Sequence, residues 1–196
     1  MAVRAVVFDF GYTLVNEDRV WTEIAGQYGW PESVFFATLG AVIERRGRHR
    51  EVFDILGAPR PPEPVPFEPR DFYDDALPAL RSVKGKGSVV GIAGNFSSEI
   101  EDFLRQYADA DFIASSERWG VEKPDPSFFA RVADAAGYSG NEITYVGDRL
   151  DNDVLPAAAA GMAAVFLQRG PWAAVQKGWP EARSTTAICD LHSVPV

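Results

Sequence analysis

The sequence predicts an α/β fold, a parallel sheet with helices on both faces, and three observations carry that prediction. Apolar, β-branched runs of strand length recur along the chain, segments of helical length alternate with the later runs, and several runs end abruptly in Gly or Asp. Strands that alternate with helices imply right-handed crossovers between parallel neighbours.

The first run, residues 3–10, is bounded by Gly11 and reads as a buried strand. From Val15 to about Pro69 the pattern is helical, with amphipathic stretches over 21–28, 33–45 and 50–56. That interval is far too long for one crossover, so a helical insertion over the carboxyl edge of the sheet is expected. Within it, Trp21 and Trp30 are expected as core residues before cleft residues. The stretch APRPPEPVPFEP, residues 58–69, makes a poor helix interior, because repeated prolines remove donors and force extended geometry. A stiff return connection is expected there, ahead of a docking ligand of the PxxP kind. Residues 1–15 and 70–196 are therefore expected to form the core, and 16–69 the inserted helical cap. Further strands are expected over 88–93, 112–114, 143–146 and 163–167, with helices over 97–107, 126–136 and 153–160.

A chain of 196 residues is long enough for one core and a small insertion. With 46% hydrophobic and 24% charged residues it has the composition of an ordinary soluble globular protein. No apolar stretch approaches the length of a membrane span, and Arg4 leads straight into the first strand without the apolar region of a signal peptide. A cytoplasmic location without membrane partners is the expectation. The net charge of −9 argues against binding the phosphate backbone of nucleic acid. Anionic small substrates stay open where positive charge is focused locally. The single cysteine, Cys189, excludes an intrachain disulfide framework and a thiolate metal site, and no partner pattern marks it as a nucleophile.

Four segments carry chemistry. In VVFDFGYTL, residues 6–14, an apolar strand ends in Asp9, where burying a charge is costly unless something uses it. Ligands of open α/β sheets bind beyond the carboxyl ends of the strands, which makes Asp9 the candidate nucleophile; the plainer alternative is a turn cap. In YVGDRLDND, residues 145–153, a second strand ends in Gly147 and Asp148, with Asp151 and Asp153 following. Converging carboxylates repel unless a cation lies between them, and a hard divalent cation such as magnesium takes such oxygen ligands. Helix capping explains one of these carboxylates but not three at two strand ends. Lys123, in WGVEKPDPSFF, could offset them and hold a substrate phosphate as a point charge. In GIAGNFSSE, residues 91–99, a strand ends in Gly94 and Asn95 before a helix whose N–H groups could seat an anion.

In this order, these four segments resemble the haloacid dehalogenase superfamily of hydrolases, over nearly the whole chain. The resemblance implies a Rossmann-like core with a cap inserted after the first strand. It implies that Asp9 attacks phosphorus to form an aspartyl-phosphate, which water then hydrolyses. It also implies that Asp9, Asp148, Asp153 and the backbone carbonyl of Gly11 hold Mg2+, while Thr13, Gly94, Asn95 and Lys123 contact a small phosphorylated or otherwise anionic substrate. Two positions depart from the family pattern. Gly11 stands where the first motif Asp-x-Asp-x-Thr has its second Asp, the general acid and base, and Gly94 stands where the second motif has Ser or Thr.

Loss of a general acid typically costs about a hundred- to ten-thousand-fold, most where the leaving group is a poor one. The primary expectation is therefore a magnesium-dependent phosphatase that is slow, works on activated leaving groups, or borrows an acid from the cap. The alternatives are a non-catalytic phospholigand- or partner-binding module, and a haloacid dehalogenase-like enzyme in which Asp9 displaces halide. The phosphonate-hydrolysing branch needs a cap lysine, and residues 15–69 contain none. In the basic run ERRGRHR, residues 44–50, Arg45, Arg48 or His49 could select anionic substrates, and His49 could supply the missing proton.

Overall fold

The computed structural model describes residues 3–59 and 62–195, so Arg60 and Pro61 of the proline-rich stretch lie outside the described residues. Six strands, β1 (Ala5–Phe8), β2 (Val89–Gly94), β3 (Phe112–Ser115), β4 (Ile143–Gly147), β5 (Ala163–Leu167) and β6 (Thr186–Ile188), form one parallel sheet in the order β3-β2-β1-β4-β5-β6. The chain leaves β1 toward β2 on one side and β4 on the other. This reversal is the topological switch point, beyond whose carboxyl ends a crevice forms. Phe8 is level with Ile92 of β2 and Val146 of β4, which brings the three strand ends together.

β1 is buried on both faces, which is why it reads as a continuous apolar run. Its side chains alternate. Val6 and Phe8 join a cluster with Leu80 of α4 (Ala76–Gly85) and Leu104 of α5 (Ser98–Tyr107), whereas Ala5 and Val7 pack with Phe128 and Val132 of α7 (Pro126–Ala136) and Ala157 of α8 (Leu155–Ala159). The short α6 (Ser116–Trp119) follows β3, and α9 (Gly170–Gln176) follows β5.

Between β1 and α4 lie α1 (Asp18–Gln27), α2 (Glu32–Glu44) and α3 (Glu51–Ile55). Phe35, Leu39, Val42, Ile43 and Val52 of these helices form a cluster with Tyr12 and with Trp172 of α9, so the insertion is fastened to the segment after β1 and to α9. Trp21 and Trp30, each partly buried, pack against this cluster. The proline-rich return runs along α1: Gln27 exchanges two hydrogen bonds with the Glu63 backbone, at 2.8 and 2.9 Å, and Arg19 donates to the Pro66 carbonyl at 2.8 Å.

Several features differ from expectation, the unexpected α6 and α9 among them. β6 escapes the hydrophobic pattern because it is three residues long at the sheet edge, with Thr186 and Ala187 exposed. α4 had no strong marker, although its buried Ala76, Ala79, Leu80 and Val83 fall at helical spacing. The helix expected over 153–160 begins earlier, as a π-helical turn, Leu150–Val154, that runs into α8. Among the described residues no helix is long and apolar enough to cross a membrane.

Candidate active site

Asp9 is the first residue beyond β1, and its N–H donates to the Val146 carbonyl of β4 at 2.8 Å. Asp148 is the first residue beyond β4, and Asp153 returns to the same place from the π-helical turn. One carboxylate oxygen from each of the three lies within 4.8 Å of the others, and all three residues are buried. Lys123 enters from the loop between α6 and α7. Its Nζ donates to Asp9 Oδ1 and to Asp153 Oδ1, both at 2.6 Å. The rings of Tyr145 and Phe128 lie 5.6 and 6.0 Å from this ammonium and wall it from below.

The electrostatics follow from burial. Burial works against the Lys123 charge, but Asp153 and Asp9 outweigh it and hold the ammonium charged well above its ordinary range. Burial pushes Asp153 up to about 6 against the pull of Lys123. Asp148 is pushed well above the carboxylate range by burial, then by Asp153 and Asp9, and its Oδ2 has no hydrogen-bond partner. Three carboxylates facing one ammonium leave negative charge uncompensated. An all-oxygen donor set with an orphaned buried oxygen is the chemistry that suits a hard divalent ion. Thr13 is also fully buried with an unpartnered hydroxyl.

Three glycines make room for carboxylates. A Cβ on Gly94 would run into Asp9 Oδ1, and one on Gly147 into Asp153 Oδ2. At Gly11 the space is taken by Glu17, whose Oε1 and Oε2 lie 2.7 and 2.9 Å from where a Cβ would stand. Glu17 Oε2 accepts from Trp21 Nε1 at 3.2 Å. Burial, with Asp9 and Asp18 near, pushes the Glu17 carboxyl up to about 7. Sequence reasoning missed Glu17, whose only signal was an acidic residue at the start of a helix.

Other expected residues are used differently. Asn95 is a splint, its Oδ1 accepting from the Lys123 N–H at 2.7 Å and its Nδ2 donating to the Lys123 carbonyl at 2.9 Å. The anion seat at the start of α5 is taken by Glu117, which accepts from Ser98 N at 2.6 Å. Asp151 stands outside the three-carboxylate group, bound to Arg149 and Gln176. Cys189 is exposed and free. A cavity of about 740 Å³ runs from Lys123, Asn95 and Arg149 to Arg46, Arg48, His49 and Arg50 of the basic run. Arg45 is not in this lining and pairs with Glu51. His49 sits beside the Trp21 ring, and burial, with Arg149 and Arg50 near, pulls its imidazole down to about 4. It is therefore neutral near pH 7 and is no ready proton donor.

The family model for haloacid dehalogenase-like hydrolases matches residues 3–161. A glyceraldehyde 3-phosphate phosphatase of Methanopyrus kandleri is 30% identical over 202 residues, covering 87% of this chain and 86% of its own. The chain belongs to the haloacid dehalogenase-like hydrolase family. Among solved structures, a HAD-hydrolase of Bacillus subtilis bound to magnesium superposes with a TM-score of 0.68 at 16% identity, over 98% of this chain and 96% of that one. A 2-haloacid dehalogenase of Pseudomonas syringae gives 0.57 at 20% identity, over 96% and 95%. A magnesium-bound HAD-hydrolase and a dehalogenase thus share this fold, and the fold alone does not decide the chemistry. The named relatives make this haloacid dehalogenase-like hydrolase an enzyme of the phosphatase-like kind.

Proposed function

We propose that this hydrolase is a cytoplasmic, magnesium-dependent phosphatase acting through an aspartyl-phosphate on Asp9, with a small phosphorylated metabolite as substrate. The observation that carries this reading is the Lys123 ammonium clamped between Asp9 and Asp153 beside the orphaned carboxylate of Asp148. Lys123 fixes Asp9 through Oδ1 and leaves the other oxygen to attack phosphorus. The same ammonium is placed to hold a phosphoryl oxygen, a fixed charge in a site that excludes water. Asp9, Asp148, Asp153 and the Gly11 carbonyl would hold magnesium, which would supply neutralisation of the charge on the transferring phosphoryl group. Thr13, with its buried hydroxyl free, is the further candidate to meet that group. Gly94 contributes space and Asn95 the position of Lys123.

Residues 16–69 form the cap and 1–15 with 70–196 the catalytic core in this reading. Arg48 and Arg50 line the cavity and make no ion pair among the described residues. They focus positive charge in a chain of net charge −9, which favours an anionic substrate. The name of the Methanopyrus relative puts triose phosphates first among substrates to test. The decisive assay is a panel of alkyl, aryl and acyl phosphates with magnesium, with and without chelator, against Asp9→Asn. Turnover that needs both magnesium and Asp9 supports the reading; no turnover above Asp9→Asn on any ester rejects it.

A further inference from the structure

The missing acid at position 11 leaves the reaction without a proton for the leaving oxygen, and the fold brings another carboxyl group to the same place. Glu17 Oε1, Cδ and Oε2 lie 2.7, 2.8 and 2.9 Å from where the first side-chain atom of residue 11 would be. The connection that achieves this is built rather than loose. Gly11 bridges to Val15, and Val15 to Phe72, so that the chain folds back and residue 17 comes over residue 11. Tyr12 takes a left-handed backbone with φ 49°, and its hydroxyl donates to Asp18 Oδ1 at 2.9 Å, which fixes the residue next to Glu17. The Tyr12 ring is buried against the α2–α3 cluster. Trp21 Nε1 holds Glu17 Oε2, and Trp21 is stacked on Phe35 with centroids 5.7 Å apart. One carboxylate oxygen is thereby oriented by a fixed indole while Oε1 faces the Gly11 backbone, two residues from the nucleophile.

We propose that Glu17 is the general acid and base of this site, supplying from the start of α1 the carboxyl group that position 11 lacks. The proposal rests on the phosphatase reading above. As Asp9 attacks phosphorus, the bond to the leaving oxygen breaks with its electron pair on that oxygen, and the Glu17 carboxyl gives it a proton. The resulting Glu17 carboxylate then takes a proton from water as the water oxygen bonds to the phosphorus of the aspartyl-phosphate. The bond from phosphorus to Asp9 breaks, inorganic phosphate leaves, and both side chains return to their starting states.

The test is kcat/KM with magnesium across phosphate monoesters whose leaving groups run from acidic phenols to simple alcohols. Wild type is compared with Glu17→Gln, which keeps size and can still accept from Trp21, and with the double variant Gly11→Asp/Glu17→Ala. The double variant returns a carboxyl group to position 11 and clears the space it needs. Glu17→Gln is expected to lower turnover of alkyl esters about a hundredfold or more and of the most acidic aryl ester by under tenfold, so that the dependence on leaving group steepens. The double variant is expected to recover alkyl esters to within about tenfold of wild type. An equal fall at every leaving group, no fall at all, or wild-type turnover confined to aryl esters overturns the role of Glu17 while the phosphatase reading stands. No wild-type turnover of any ester above Asp9→Asn removes both.

Discussion

Lys123 and Asp9 share a hydrogen bond of 2.6 Å although 114 residues separate them in the chain. The ammonium is closed off from solvent, with a side chain only 1% exposed, so the pair lies where water screens little. Breaking a buried pair by removing one partner typically costs about 3–5 kcal/mol, because the other charge stays buried and unpaired. Lys123→Met therefore abandons two carboxylates at once. Urea unfolding in chelator is expected to show a loss in that range. Lys123→Arg should keep much of the stability but lose turnover, since a planar guanidinium does not place one nitrogen between two carboxylates.

Asp148 gives the opposite sign. Its buried carboxyl has one oxygen without a partner, and Asp153 and Asp9 repel its charge. In chelator, Asp148→Asn is expected to be more stable than wild type by about 1–3 kcal/mol, because the amide carries no charge for Asp153 and Asp9 to repel and its N–H groups can donate to them, and hydrogen bonds to charged groups are worth that order. Magnesium should raise the wild-type melting temperature, by mass action on the folded state, and raise that of Asp148→Asn little. Thermal unfolding of both proteins with magnesium and with chelator checks this. A destabilised variant in chelator would contradict it.

Gly94→Ser restores the residue type of the family's second motif, yet it should lower activity. Its Cβ runs into Asp9 Oδ1, the oxygen Lys123 holds, so the nucleophile must move. Displacing a reacting group by about 1 Å can cost on the order of a hundredfold. Gly94→Ala should fall as far as Gly94→Ser in kcat on an aryl phosphate. A gain with serine alone would mean that the hydroxyl matters more than the room.

The carboxyl of Asp75 sits just before α4 and pairs with Arg169. Burial alone would raise it, but a two-pronged contact with Arg169 and the N–H of Leu191 hold it below the usual carboxylate range. A carboxyl lowered on folding stabilises the protein above its ordinary pKa near 3.8, and that stability is lost as pH falls through the lower folded value. Asp75→Asn is therefore expected to cost about 1.5–3 kcal/mol at pH 7, typical of hydrogen bonds to charged groups. The difference from wild type should shrink as pH falls below 4. Urea midpoints at pH 7 and pH 3 measure it.

Much of the sheet was legible because β1, β2, β4 and β5 are apolar runs ending in glycine or a polar residue. β6 was not, since a three-residue edge strand buries too little to leave a pattern. At the site, Asp9, Asp148, Asp153 and Lys123 announce themselves as charges at strand ends and in a loop. Their neighbours do not, because an amide such as Asn95 splints Lys123 or binds substrate with the same atoms, and only its contacts decide. Glu17 was illegible for a different reason: its closeness to Gly11 depends on a backbone turn at Tyr12 that no local spacing encodes. His49 was the opposite case, an attractive residue type whose surroundings keep it neutral.

The glycines that make room for carboxylates also govern how this sequence could change over generations. A serine at 94, or an aspartate at 11, does not simply bring the family's residue into place while Asp9 and Glu17 hold that space. Each such change first passes through a crowded site, and at position 11 it opens only after residue 17 has shrunk. The order of substitutions is thus constrained, and neither position changes independently of the carboxylate beside it.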